Sequence, residues 1–221
     1  MGLFSKYHRV VLVIAFIVVG AIFLYFMPAT QSLFSLKTEA SPTATPDYSN
    51  WRSYTNKKFG ISLKYPAEFT LKAGQTGPLA EWALYGLANG NEIAIIEISR
   101  SFQPRTNFVG ASLRLGISTE ATAVKECLNQ PSTFGYNSTF AKRAIGGVEF
   151  KKFTRSTVAV GNNFEYTSYR AVRSGRCEVF EYVIKHREIE NYPIESGVKE
   201  FNKTMIINSL ESILDTVQFA K

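Results

Sequence analysis

Side chains that carry chemistry are scarce in this chain: its 221 residues include only two histidines and two cysteines. His8 lies near the N-terminus, which leaves His186 alone in the body of the chain. A lone imidazole between Lys185 and Arg187 reads as a surface residue rather than a base. Asp47 and Asp215 supply no convincing third member for a Ser-His-Asp set. Cys127 and Cys177 have no CxxC neighbours, so no zinc site of the usual spacing exists, and no cofactor is expected. Gly146-Gly147 and the run Gly86-Leu87-Ala88-Asn89-Gly90 lack the Lys-Ser/Thr or strand-to-helix context of a phosphate cradle. The one carboxylate pair worth naming is Glu188 with Glu190, which would share a face of an extended segment and could act hydrolytically or hold a cation. Acids alternating with apolar residues beside a basic stretch read more simply as surface ion pairs. Together these absences point away from an enzyme.

The most informative feature present is Val10 to Met27, an uncharged apolar run preceded by Lys6, His8 and Arg9. At about 1.5 Å per residue it makes roughly 27 Å of helix, close to the roughly 30 Å hydrocarbon core of a bilayer. Its many Val, Ile, Leu and Phe side chains favour insertion by roughly 4 to 8 kcal/mol at most. Lys6 and Arg9 precede the span, and the next charge after it is Lys37. Residues 1–9 are therefore expected in the cytoplasm, 10–27 in the membrane and the rest outside. A cleaved signal peptide is the competing reading, but its apolar core is usually about 7 to 15 residues and ends in a small-x-small site, where this chain has Phe26, Met27 and Pro28.

Residues 28–50 are rich in Ser, Thr, Ala and Pro and read as a flexible linker with a root-mean-square span of roughly 25 Å. Residues 51–221 then suit one globular domain. Cys127 and Cys177 both fall on the oxidising side and are expected to pair, stabilising the fold by about 4 kcal/mol in the chain-entropy model.

Within that domain, Phe59, Ile61, Leu63 and Tyr65 alternate with polar or small residues up to Pro66, the pattern of a half-buried strand, and the preceding Lys57-Lys58 turn makes a hairpin start. Further strands are expected at Glu81–Leu87, Glu92–Arg100 and Phe108–Ile117. A helix capped by Thr119 should run toward Asn129. Phe140 to Lys185 accommodates three strands, with Ser174-Gly175 joining Phe164–Arg173 to Arg176–Lys185 as a tight hairpin. Val198–Leu214 should be a helix with Ile206, Leu210, Ile213 and Leu214 on one stripe, followed by a short strand at Val217–Phe219. The sum is an α+β domain, an antiparallel sheet covered by helices, preceded by one transmembrane helix.

Two stretches, Tyr54 to Pro66 and Ile213-Leu214-Asp215-Thr216-Val217-Gln218-Phe219, resemble the two ends of PsbP-like (Mog1/PsbP-fold) domains. The resemblance implies an α/β/α sandwich around an antiparallel sheet and implies no common catalytic activity. Photosystem association and metal binding in some members do not carry over, because no residue here matches a motif for them.

The expected function is a non-enzymatic binding or scaffolding module of the cell envelope, held by the lipid bilayer through residues 10–27 and serving an extracytoplasmic protein partner. The excess of 25 Lys and Arg over 18 Asp and Glu raises a second reading, an anionic polymer bound through Lys151, Lys152 and Arg155. The cations are spread through strand-like segments, which reads more simply as a solvated surface.

Overall fold

The computed structural model describes residues 47–73, 91–129 and 141–220. The expected anchor, most of the expected linker and the strand at Glu81–Leu87 lie outside those residues. Among the described residues no helix is long and apolar enough to cross a membrane.

The chain opens with the expected hairpin, β1 (Trp51–Asn56) and β2 (Ile61–Pro66). Gly60 occupies the left-handed region at φ 63°, as the turn into β2 requires. The last strand, β10 (Gln218–Phe219), pairs with β2, so both ends of the domain meet in a three-stranded sheet ordered β1-β2-β10. A second, seven-stranded antiparallel sheet holds everything between: β3 (Thr70–Ala73), β4 (Asn91–Ser99), β5 (Phe108–Ser118), β6 (Lys142–Ile145), β7 (Val148–Ala159), β8 (Asn162–Arg173) and β9 (Arg176–His186). Its spatial order is β3-β4-β5-β9-β8-β7-β6.

Two hairpins dominate this sheet. Ser174 and Gly175, at φ 50° and 70°, join β8 to β9, and Val160 and Gly161, at φ 49° and 67°, join β7 to β8. Positive φ at both central residues matches the right-handed twist of the flanking strands. The segment from Phe140 to Lys185 therefore holds four strands rather than three, because β6 folds back on β7 through Gly146-Gly147.

Two helices are described. α1 (Ala121–Glu126) is shorter than expected, and Thr119 does not cap it: Glu120 takes the N-cap position without a side-chain bond. α2 (Lys203–Asp215) buries Ile206, Leu210, Ile213 and Leu214, the stripe that the 3.6-residue period indicates. It begins five residues later than Val198. The Asn202 side chain accepts from the Met205 N–H at 2.9 Å and caps it there, while Lys199 is drawn into a parallel bridge with Thr106.

The large sheet has two unlike faces. Its inner face supplies Ile96, Leu113, Leu115, Phe180, Tyr182 and Ile184 to the main core, together with α2 and with Ile61, Leu63 and Tyr65 of β2. Helical cover on this face is thus shared with the small sheet. On the outer face, α1 covers one end only, where Ala123, Cys127, Cys177 and Val179 form a small apolar cluster.

Candidate binding face

The expected disulfide is present. Cys127, just past α1, bonds to Cys177 at the start of β9, with Cα atoms 5.6 Å apart. This marks one end of the large sheet, the closed end. Immediately beside it Glu178, only 1% exposed, accepts from Arg173 through Nε and Nη2 at 2.9 and 2.8 Å and from the Arg176 Nε at 2.7 Å. Arg176 also donates to the Phe59 carbonyl at 2.7 Å, and Arg173 lies 4.2 Å from the Phe219 ring centroid. One buried carboxylate thereby ties the β8–β9 hairpin to both flanks of the small sheet. Gly146 belongs to the same junction: a Cβ there would lie 2.7 Å from the Phe219 ring.

Midway along the inner face, Glu211 of α2 accepts hydrogen bonds from the Tyr169 and Tyr182 hydroxyls at 2.7 and 2.8 Å. Arg143 of β6 pairs with Glu211 and also donates to the Glu211 backbone carbonyl. Burial pushes both tyrosines above the ordinary phenol range, Tyr169 well above it. The network docks α2 through a polar contact that the hydrophobic stripe alone does not reveal.

At the opposite, open end sits His186. Its Nε2 lies 3.2 Å from Glu165 Oε1, its Nδ1 lies 3.3 Å from the Arg187 carbonyl, and its ring packs on Phe201 at 5.1 Å. The other Glu165 oxygen pairs with Lys203, the first residue of α2. Ser156 lines the same hollow, yet both imidazole nitrogens are already taken up by oxygens other than a hydroxyl, so the set is arranged as a brace rather than as a base and nucleophile. The Glu188–Glu190 expectation also meets a correction. That segment is not extended: Glu188 precedes a 3-10 turn at Ile189–Asn191 and accepts from the Asn163 amide. Among the described residues no group of three His, Cys, Asp or Glu is placed to hold a metal ion.

The three cations singled out from sequence do not share a surface. Lys151 and Arg155 stand on the outer face, whereas Lys152 points to the inner face, opposite Tyr169 in the register. There burial, and then the Arg143 guanidinium, hold the Lys152 ammonium below its usual range. Lys151 donates to the Leu128 carbonyl at 2.9 Å and lies 5.1 Å from the Phe153 ring centroid, and Arg155 lies 5.5 Å from that of Tyr166.

Strand alternation gives the outer face a second, unexpected character. Phe153, Ser168, Arg170 and Glu181 are all buried on it toward the closed end. Toward the open end the face loses this cover and forms a shallow groove of about 310 Å³, lined by Thr70, Ser99, Ser112, Phe164, Val183 and Lys185 among others. The half-buried rings of Phe164 and Tyr166 run nearly parallel, 14° apart, and the Lys185 ammonium lies 5.2 Å from the Phe164 centroid. Hydroxyls beside the Phe164 ring and the Lys185 cation, with the Glu97 carboxylate already paired to Lys72, form a surface suited to holding an extended ligand. Period-2 alternation from Phe164 was the signal available in the sequence, and the strands opposite it were not.

No family model and no curated protein matches the chain. Solved structures match at low identity. One from Bacteroides thetaiotaomicron has a TM-score of 0.44 and 10% identity over 78% of this chain and 49% of its own, so this chain spans about half its length. LpqN of Mycobacterium tuberculosis, described as involved in cell envelope biogenesis, has a TM-score of 0.37 and 13% identity over 73% of this chain and 83% of its own. A cyanobacterial PsbP (CyanoP) from Synechocystis has a TM-score of 0.39 and 10% identity over 82% and 99%. The strand order itself defines the class, a mainly antiparallel β domain with few helices.

Proposed function

We propose that this chain is a membrane-anchored, extracytoplasmic, PsbP-like binding or scaffolding module of the cell envelope, and that it engages another extracytoplasmic protein through the open end of its outer sheet face. The groove between Phe164, Lys185 and the hydroxyls of Ser99 and Ser112 carries this reading. Partly exposed aromatic rings with polar groups at their margins are the composition that protein interfaces favour. The uncharged run behind Lys6 and Arg9 supports the location, and the Cys127–Cys177 bond is in keeping with an oxidising compartment.

A photo-reactive phenylalanine at position 166 of the full chain tests it in native membranes. A discrete protein adduct is expected, lost in Phe164→Ala and absent when the probe sits at position 174. An adduct indifferent to Phe164, or none, contradicts the reading.

A second reading, an anionic wall polymer, is favoured by one observation: Lys151, Arg155 and Lys185 each lie over an aromatic ring on this face. Lys152 takes no part in it. Binding to such a polymer should weaken steeply as salt rises, and salt-independent retention rejects it.

A further inference from the structure

We infer that the open end of the domain touches the bilayer, with the β7–β8 hairpin tip as its leading edge. This inference rests on the membrane-anchored reading above.

The tip is built against ordinary economy. Val160 is 98% exposed and Val158 69% exposed, and Val160 holds φ 49°, a conformation that disfavours a β-branched side chain. An Asn or Gly at that turn position would relieve both costs. Ile194, 96% exposed, lies in the connection from β9 to α2. That connection starts beside the hairpin tip, because His186 pairs with Asn163. With Met205 at the start of α2, four of the six large apolar side chains exposed among the described residues gather at one end, and the other two, Leu128 and Val172, are less exposed and lie beside the disulfide.

The chain also enters the domain at that end. Trp51 lines a hollow with Asn202 and Met205 at the start of α2, and Asn202 is bonded to Gln103, just beyond β4. Tyr48 packs edge-on against Trp51 at 4.7 Å. Tyr48, Trp51 and Tyr192 are half-buried, the kind of amphipathic ring that settles at a membrane–water boundary. The connection from β9 to α2 exposes Arg187 and Lys199 beside Glu188, Glu190, Glu195 and Glu200, and exposed Arg105 lies next to it, so charge does not draw this end to an anionic surface and its exposed apolar side chains carry the contact. A tether of this length provides an effective concentration on the order of millimolar, at which a weak apolar contact becomes populated.

The test uses the full chain in vesicles of phosphatidylcholine and phosphatidylglycerol carrying doxyl-labelled lipid. A bimane probe is attached at Val160→Cys and, for comparison, at Ser174→Cys, about 40 Å away along β8 by strand rise. The inference predicts quenching at 160 and none at 174. Equal quenching at the two positions, or none at 160, in protein that survives a carbonate wash overturns the orientation while leaving the anchored reading intact. Release by carbonate overturns both. A probe at Ile194→Cys should lose quenching when Val160→Gly is added, although that variant should raise the melting temperature. Unchanged quenching there overturns the role of the tip.

Discussion

The two ends of the seven-stranded sheet are built on opposite principles. At the closed end a disulfide, a carboxylate shared by two guanidiniums and a close glycine–phenylalanine approach fix three elements together. At the open end the sheet leaves aromatic rings half-covered in a groove, projects a strained valine into solvent, and is braced by His186, Glu165 and Lys203. Covalent and buried ionic restraints are concentrated at the closed end, where Leu128 and Val172 are 40% and 44% exposed, while Val158, Val160 and Ile194 at the other end are 69% to 98% exposed. Binding surfaces are commonly drawn from such lightly packed regions.

Removing the closed-end restraints should therefore be the most damaging change. Cys177→Ser, with its loop of 50 residues opened, is expected to lose about 4 kcal/mol in urea unfolding. An unchanged midpoint would show that the closed end does not depend on it. Glu178→Ala should cost about 3 kcal/mol, because two partly buried guanidiniums lose their counter-charge. Replacing Glu165 at the open end should cost about 1 kcal/mol, since Glu165 is itself 29% exposed and its partner Lys203 48%, whereas Glu178 is 1% exposed. If Glu165→Ala matched Glu178→Ala, the contrast between the ends would collapse.

Between those ends, Tyr169 and Tyr182 give the domain an alkaline weakness. Burial raises both folded-state pKa values above the unfolded value of about 10. Unfolded chains then release protons that the folded state retains, so their contribution is intact below about pH 10 and is lost as pH rises through the folded values. A Tyr169→Phe, Tyr182→Phe double variant should flatten the fall in stability above pH 10, at a neutral-pH cost of about 1 to 2 kcal/mol for the missing bonds to Glu211. The smallest effect belongs to Val160→Gly, expected to gain on the order of 0.5 kcal/mol, because relief of about 1 kcal/mol or more of left-handed strain outweighs the added freedom of the unfolded chain, about 0.4 to 1 kcal/mol. A loss would mean that Val160 is packed rather than presented.

Local chemistry makes some of this legible in the sequence. Ser174-Gly175 marked the hairpin, the Ile206–Leu214 stripe marked the buried side of α2, and the lone cysteine pair marked the disulfide. Lys151 and Lys152, being adjacent in a strand, could also have been separated by alternation alone. What sequence reading missed depends on pairing between distant strands. β3 and β6 are four-residue edge strands without a pattern of their own, and the split into two sheets is set by β10 returning to β2. The Glu165–His186 brace requires the β8–β9 register, and Glu211 meets two tyrosines only after α2 docks. The start of α2 shifted because a tertiary bridge to Thr106 competed with helix extension.

Hydrogen exchange on the full chain, compared between detergent and native membrane vesicles, addresses the division of labour most directly. Amides of residues 176–181 should be protected to the same high degree in both, and those of 156–163 should exchange faster in detergent and slow markedly on the vesicles. Equal exchange at 156–163 in the two settings, or slowing confined to 176–181, would contradict it.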